Sequence, residues 1–202
     1  ADTILLLGKR LDHRYRYGKP PFFNPDAQII QVDPSPAEIG RNRGVALGIL
    51  GDLGAIVEQL ADSASNYSWR NIAPWIDLLK TASRLHLEEL EEKAVEGFPI
   101  HPMNIYKEIA PLVDDDSVLI FDGGDYVQWG RGYLKARQPG HWMRLGPLSH
   151  LGFGLPYALA AKLARPQSKV FLFIGDGSLG FYTMEFDTAI RHNLPFTAVL
   201  GN

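Results

Sequence analysis

Two apolar patterns alternate along the chain. Short continuous runs, "TILLL", "QIIQV", "SVLIF", "KVFLFI" and "FTAVL", are each followed at once by glycine or aspartate. Runs of that length without polar alternation predict strands buried on both faces, as in a parallel sheet. Other segments carry apolar residues at helical spacing: "GAIVEQLA", "WIDLLKTASRLHLEELEEKAVEG", "FPIHPMNIYKEIAPLV" and "GFGLPYALAAKLA". In the second of these, Trp75, Leu78, Leu79, Ala82, Leu85 and Leu90 fall on one stripe. Pro102 suits the first turn of the third. The acidic run from Glu88 to Glu92 is expected to be a solvated face. "ADSASNYSWRNIAP" is polar and turn-rich and is expected to be a connector. Strand and helix in alternation predict an α/β fold of two doubly wound parallel sheets. The expected divisions are 1–62, a connector with a helix over 63–97, and 98–202.

Composition narrows the function classes. The 202 residues are 46% hydrophobic and 21% charged, ordinary for a globular chain. A net charge of −3 gives no electrostatic footprint for nucleic acid or an anionic membrane. There is no cysteine, which excludes disulfides, thiolate catalysis and cysteine-held metals. No apolar run approaches the roughly 20 residues of a membrane span, and no basic leader precedes "TILLLG". Neither nucleic acid nor membrane is therefore an expected partner, and the default location is cytoplasmic.

The chemistry concentrates in "VFLFIGDGSLGFYTMEFDTAIRHNLPFTAVLGN". A parallel strand would deliver Gly175-Asp176-Gly177-Ser178 to the ligand-binding edge of its sheet. Backbone N–H groups at the start of the next helix form a phosphate seat, and glycines let a ligand approach the backbone closely. An aspartate there would repel phosphate unless a cation lay between them. Magnesium fits that role, because it pairs one or two carboxylates with phosphate oxygens. The alternative is a solvent-facing Asp176 that caps the helix.

This stretch resembles the cofactor signature of thiamine-diphosphate-dependent enzymes. In that family a Gly-Asp-Gly turn, a helix and a strand end in Asn-Asn or Asn-Asp, and the Asp and the second member of that pair hold the metal. Asn202, 26 positions after Asp176, matches the first member, so the second would be residue 203. "LAAKLARPQSKVFLFIGDGS" matches upstream in the same register. "GPLSHLGFGLPYALAAK" resembles the segment whose bulky apolar residue, here Leu151, wedges beneath the cofactor and bends it. The bend makes the activating proton transfer intramolecular. The resemblance also places the Ser149 carbonyl on the cofactor's 4′-amino group. On the residues alone, Leu151 reads as a plain core leucine. "FDGGDYVQWGRGY" resembles the turn that clasps the diphosphate, with Gly124, Asp125 and Tyr126 contacting it mainly through backbone N–H groups.

"GKRLDHR" and "IIQVDPSPAEIGRNR" resemble the middle domain of acetolactate synthases. That domain holds FAD there and an adenine nucleotide in oxalyl-CoA decarboxylase, which makes Gly8, Arg10 and Asp33 candidate nucleotide contacts. A surface arginine and a turn aspartate are the alternatives. The likeness spans nearly the whole chain, as the end of a middle, nucleotide-binding-like domain followed by the first part of the diphosphate-binding domain. The activating glutamate of the family lies on a pyrimidine-binding domain outside these residues, so this segment alone is expected to be inactive and to contain no catalytic residue.

The resemblance implies thiamine diphosphate and Mg2+ as cofactors and a homodimer or homotetramer. It implies a C–C bond made or broken next to a carbonyl, as in decarboxylation or carboligation of a 2-oxo acid, with the cofactor as electron sink. Two departures stand out. Acetolactate synthases carry Gly-Gln-His-Gln-Met-Trp where this chain has Gly124 to Trp129, and Gly-Gly-Leu-Gly-Thr-Met where it has "GPLSHL". "GGD" and "MEFDTAIRHNLP" look more like 2-hydroxyacyl-CoA lyases, so a 2-hydroxyacyl-CoA is the other candidate substrate. An oxalyl-CoA decarboxylase-like enzyme and a non-catalytic relative that keeps the fold are further alternatives. His101, His141, His150 and His192 are possible proton carriers, with His150 nearest the wedge in sequence.

Overall fold

The computed structural model describes residues 1–145 and 148–202. It divides into two compact units, Ala1–Asn71 and Ile72–Asn202.

In the first unit, β1 (Thr3–Leu7), β2 (Gln28–Asp33) and β3 (Leu47–Leu50) form a parallel sheet in that order. Leu6, Leu11 and Ile29 make its small core. The β3 strand was not among the expected runs. Its Gly48 sits where a Cβ would stand 2.5 Å from Ile39 Cγ2, so the glycine that breaks the apolar pattern is what lets Ile39 pack against the strand. Helix α1 (Leu53–Ser65) is capped by Asp52, which accepts from Ala55 N at 2.9 Å. It continues past residue 61, so the first part of the expected connector is helical.

The second unit opens with α2 (Ala73–Glu91) and α3 (Pro102–Ile109). Among the described residues, four further α-helices and four strands follow: β4 (Val118–Asp122), α4 (Asp125–Tyr133), β5 (Trp142–Met143), α5 (Gly154–Ala164), β6 (Val170–Gly175), α6 (Asp176–Phe181), α7 (Glu185–Arg191) and β7 (Thr197–Gly201). The sheet is wholly parallel, in the order β5-β4-β6-β7. Strand periodicity sorts its side chains onto two faces. Val118, Ile120, Leu172 and Ile174 pack with Leu155 and Ala158 of α5. Leu119, Phe121, Phe171 and Phe173 pack with Tyr106 of α3 and Val127 of α4. Each such fully buried large side chain contributes about 1.5–3 kcal/mol, and together they hold both layers on the sheet.

Two elements here depart from the sequence expectation. A glycine-rich turn was expected after β4, but α4 follows, although Gly130 and Gly132 lower its intrinsic helix propensity. A Cβ on Gly130 would lie 2.2 Å from Tyr106 Cε1, so the helix is seated by tertiary packing of that ring. On α2 the stripe is helical as expected, but only Leu90 is buried, while Trp75, Leu78, Leu79 and Leu85 are exposed.

Candidate cofactor site

The strand order places a topological switch point between β4 and β6. From β4 the chain leaves through α4 to β5 at one edge, and from β6 it leaves through α6 and α7 to β7 at the other. Crossovers departing in opposite directions open a crevice at the carboxyl ends of the two strands, where such sheets bind ligands. Asp122 pairs with Ile174, so Gly123-Gly124 and Gly175-Asp176 emerge together at that crevice.

Glycine is required where the turns meet. Gly123 has φ +127°, and a Cβ on it would lie 3.3 Å from both Gly175 N and Ser178 Oγ. Ser178 is buried, with its hydroxyl beneath Gly123. Gly124, Gly175 and Gly177 have open space where a Cβ would stand. Side chains there would fill a cradle that the backbone leaves free for a ligand.

Asp176 is exposed as the first residue of α6. Gly175 pairs with Gly201 in β7, so Asp176 and Asn202 leave the sheet side by side. Among the described residues, no three His, Asp or Glu converge in a group able to hold a metal. A cation beside Asp176 would therefore complete its shell with oxygens from ligand and water, a habit that suits magnesium with a phosphate ligand. The glycine cradle and the exposed Asp176 carboxylate fit a diphosphate bridged by such an ion.

Asp125 and Tyr126 begin α4. The Asp125 carboxylate is exposed and accepts from Trp129 Nε1 at 3.3 Å. Tyr126 turns its ring inward, where a Cβ on Gly201 would meet it at 2.4–2.7 Å, and stacks on Tyr106 at 5.4 Å between ring centroids. The Tyr106 hydroxyl donates to the Tyr126 carbonyl at 3.2 Å. Burial raises both phenols above their ordinary range, so both remain protonated. The Tyr126 ring thus braces the end of β7.

The wedge segment is held from two sides. Ser149 is exposed with φ +50°, and Leu151 is 44% exposed. On one side, Gly152, at φ +94°, lies so close to Phe181 and Tyr182 that a Cβ would be 2.6 Å and 2.5 Å from them. His150 Nε2 lies 3.4 Å from the Tyr182 hydroxyl. On the other side, the fully buried Asp122 accepts from Gly152 N at 3.3 Å and Gly154 N at 2.8 Å. Sequence reasoning missed Asp122 and Gly123. The available signal was that "DGG" after β4 repeats the strand–acid–glycine pattern of the turn after β6. Gly146 and Pro147, the start of the quoted wedge motif, lie outside the described residues.

Gly8, Arg10 and Asp33 belong to the first unit. Gly8 takes φ +59° and donates to the Val32 carbonyl at 2.9 Å, which puts it beside the end of β2. The Asp33 carboxylate, 5% exposed, accepts from Ser35 N at 2.8 Å and shapes the turn. Arg10 is exposed and lies 3.5 Å from Glu38. Among the histidines, His101 caps α3 by accepting from Met103 N at 3.2 Å. His141 is buried, and neither ring nitrogen has a partner among the described residues. His192 follows the last turn of α7.

Comparison with known proteins agrees with this geometry. The family described as thiamine pyrophosphate enzyme, C-terminal TPP binding domain, matches residues 122–202. The central domain of the same enzymes matches residues 1–60. An acetolactate synthase large subunit of Mycobacterium tuberculosis is 38% identical over 203 aligned residues, covering 100% of this chain and 36% of that protein. Human 2-hydroxyacyl-CoA lyase 2 is 32% identical, covering 100% of this chain and 32% of its own length. A probable acetolactate synthase large subunit of Methanococcus aeolicus is 31% identical over 96% of this chain. The chain therefore spans about a third of the length of the relatives it matches. No helix among the described residues is long and apolar enough to cross a membrane. With both domain types matched in order along its length, the chain belongs to the thiamine pyrophosphate enzyme family.

Proposed function

We propose that the whole protein is a thiamine-diphosphate- and Mg2+-dependent enzyme of the acetolactate synthase-like group, making or breaking a C–C bond next to a carbonyl. The observation that carries this reading is the β6–β7 register, with Gly175 opposite Gly201 and the exposed Asp176 beside Asn202 at the switch point. Asp176 would ligate the Mg2+ that bridges protein and diphosphate. Backbone groups of Gly124, Asp125, Tyr126, Gly177 and Ser178, with Asn202, would hold the diphosphate oxygens. Leu151 would support the cofactor between its two rings, and the Ser149 carbonyl would accept from its amino group. When bound, the cofactor supplies a carbon nucleophile for a carbonyl and an electron sink for the resulting carbanion. The residues of this chain bind and orient, and the group that activates the cofactor by proton transfer belongs to a domain outside this chain.

A 2-oxo acid is the substrate class favoured by the acetolactate synthase relatives, with a 2-hydroxyacyl-CoA second through the lyase relatives. Family assembly suggests a homodimer or homotetramer. In the first unit, FAD or an adenine nucleotide would lie at the carboxyl ends of β1 and β2, contacted by the Gly8 backbone and Arg10. Asp33, held by Ser35, would shape the turn there.

The test is isothermal titration of the full-length protein with thiamine diphosphate, with and without Mg2+, beside Asp176→Ala. Metal-dependent binding that disappears in the variant supports the proposal. Failure of the wild type to bind would make the protein a non-catalytic relative. With binding established, pyruvate and a 2-hydroxyacyl-CoA distinguish the two substrate classes.

A further inference from the structure

The wedge segment and the diphosphate clasp lie far apart in sequence, yet one side chain touches the first and begins the second. Asp122 is the last residue of β4 and has no exposed surface. Its Oδ2 accepts from Gly154 N at 2.8 Å and its Oδ1 from Gly152 N at 3.3 Å, across separations of 32 and 30 residues. The next two residues are Gly123 and Gly124, which open the clasp.

A carboxylate buried at that point needs a reason, because removing a charge from water is costly unless it is paired or hydrogen-bonded. The reason lies at the start of α5. Its N-cap residue, Phe153, makes no side-chain cap hydrogen bond. The opening N–H groups of a helix have no partner within the helix, and the helix dipole favours a negative charge there. Asp122 supplies from a neighbouring strand the cap that the local sequence lacks. Glycine is needed for the approach, since a Cβ on Gly154 would stand 2.8 Å from Asp122 Cβ and 2.6 Å from Leu172 Cδ1. Leu151 precedes the first of the two tethered amides by one residue.

We propose that Asp122 is a positioning residue for the cofactor: by holding the Gly152 and Gly154 amides it fixes Leu151 relative to the Gly123-Gly124 clasp, so that one strand end sets both the diphosphate seat and the wedge. This rests on the cofactor reading above. Asp122 does not touch the cofactor; it acts through the backbone on either side of Phe153.

The test uses the full-length protein and two probes, thiamine diphosphate and inorganic pyrophosphate, each with Mg2+. Pyrophosphate needs only the diphosphate seat, whereas thiamine diphosphate also needs the wedge. In Asp122→Asn the shape is kept, but the amide can accept only one of the two N–H groups and turns a donor toward the other. The expected result is affinity for thiamine diphosphate weakened about tenfold or more, the scale of one lost charge-assisted hydrogen bond. Pyrophosphate affinity should stay within about twofold. Hydrogen exchange in residues 148–155 should accelerate while exchange in β4 and β6 stays unchanged.

Equal affinities for thiamine diphosphate in wild type and variant would overturn the proposal. So would a parallel loss of both probes, which would mark Asp122 as a general support. Should Asp122→Asn fail to fold, hydrogen exchange of the wild type still decides: unprotected amides at Gly152 and Gly154 would remove the tether. The wild-type affinity tests the cofactor reading by itself, and the ratio of variant to wild type tests the role of Asp122.

Discussion

Replacing Gly152 by alanine should disturb both the fold and the cofactor site, and the structure supplies the magnitude. At φ +94° an alanine is strained, at a cost of about 1–2 kcal/mol. Its Cβ would stand 2.5 Å from Tyr182 Cδ2 and 2.6 Å from Phe181 Cβ, far inside van der Waals contact. Overpacking of this kind costs about 1–3 kcal/mol. The Tyr182 ring can rotate away, but Phe181 Cβ is fixed to the backbone of α6, so the 148–152 segment must give way and carry Leu151 with it. The total is about 2–5 kcal/mol, summing the strain and packing terms. The assays are the urea midpoint of the full-length protein and its affinity for thiamine diphosphate with Mg2+. Gly140→Ala is the control, because Gly140 also has positive φ, +78°, but has no atom within 4 Å of its Cβ position. It should show the dihedral cost alone and leave cofactor affinity unchanged. If Gly152→Ala matched Gly140→Ala in both assays, the close contact with α6 would not constrain the wedge segment.

The remaining predictions separate binding from stability and define one pH window. Gly177→Ala places a methyl in open space, so the urea midpoint should hold while thiamine diphosphate affinity falls; unchanged affinity would mean the cradle does not hold the ligand. For Asp176→Ala, metal-dependent binding should vanish without loss of fold, as judged by circular dichroism; retained Mg2+ dependence would place the metal elsewhere. Asp114 is held down to a pKa of about 2 by the Lys169 ammonium at 2.8 Å and the Ser117 hydroxyl at 2.7 Å. A depressed carboxyl favours the folded state above its unfolded value near ~3.9. That contribution is lost as pH falls from there through about 2. Lys169→Met should flatten the acid limb of stability in that window, modestly, since the pair is exposed and screened by salt. Coincident acid limbs for wild type and variant would show that the pair contributes nothing.

Features legible in the sequence were those that chemistry makes local. The runs "KVFLFI" and "SVLIF" are buried strands because both of their faces are covered, and continuous apolarity is the mark of that state. Asp176 between two glycines marked a strand end, and the β6–β7 register brings Asn202 beside it. What escaped depends on partners far along the chain. Helix α4 carries two glycines and weak propensity, and it is held because Tyr106, more than twenty positions away, fits over Gly130. Strand β3 is short and interrupted by Gly48, so its pattern cannot announce it. Asp122 reads locally as one more turn aspartate, and only the fold reveals that its partners are the amides of Gly152 and Gly154.

The α2 stripe shows a different limit. Periodicity identifies a helix with an apolar face, because residues three and four apart share one side. It states that the face is to be covered, not by what. Trp75, Leu78 and Leu85 remain exposed in this chain, and α1 buries no residue at all although its apolar positions recur at helical spacing. The matched relatives are about three times as long as this chain. An apolar pattern therefore carries two statements of unequal range: the type of element, which 3.6-residue periodicity settles locally, and the identity of its covering surface, which depends on residues that the pattern does not contain.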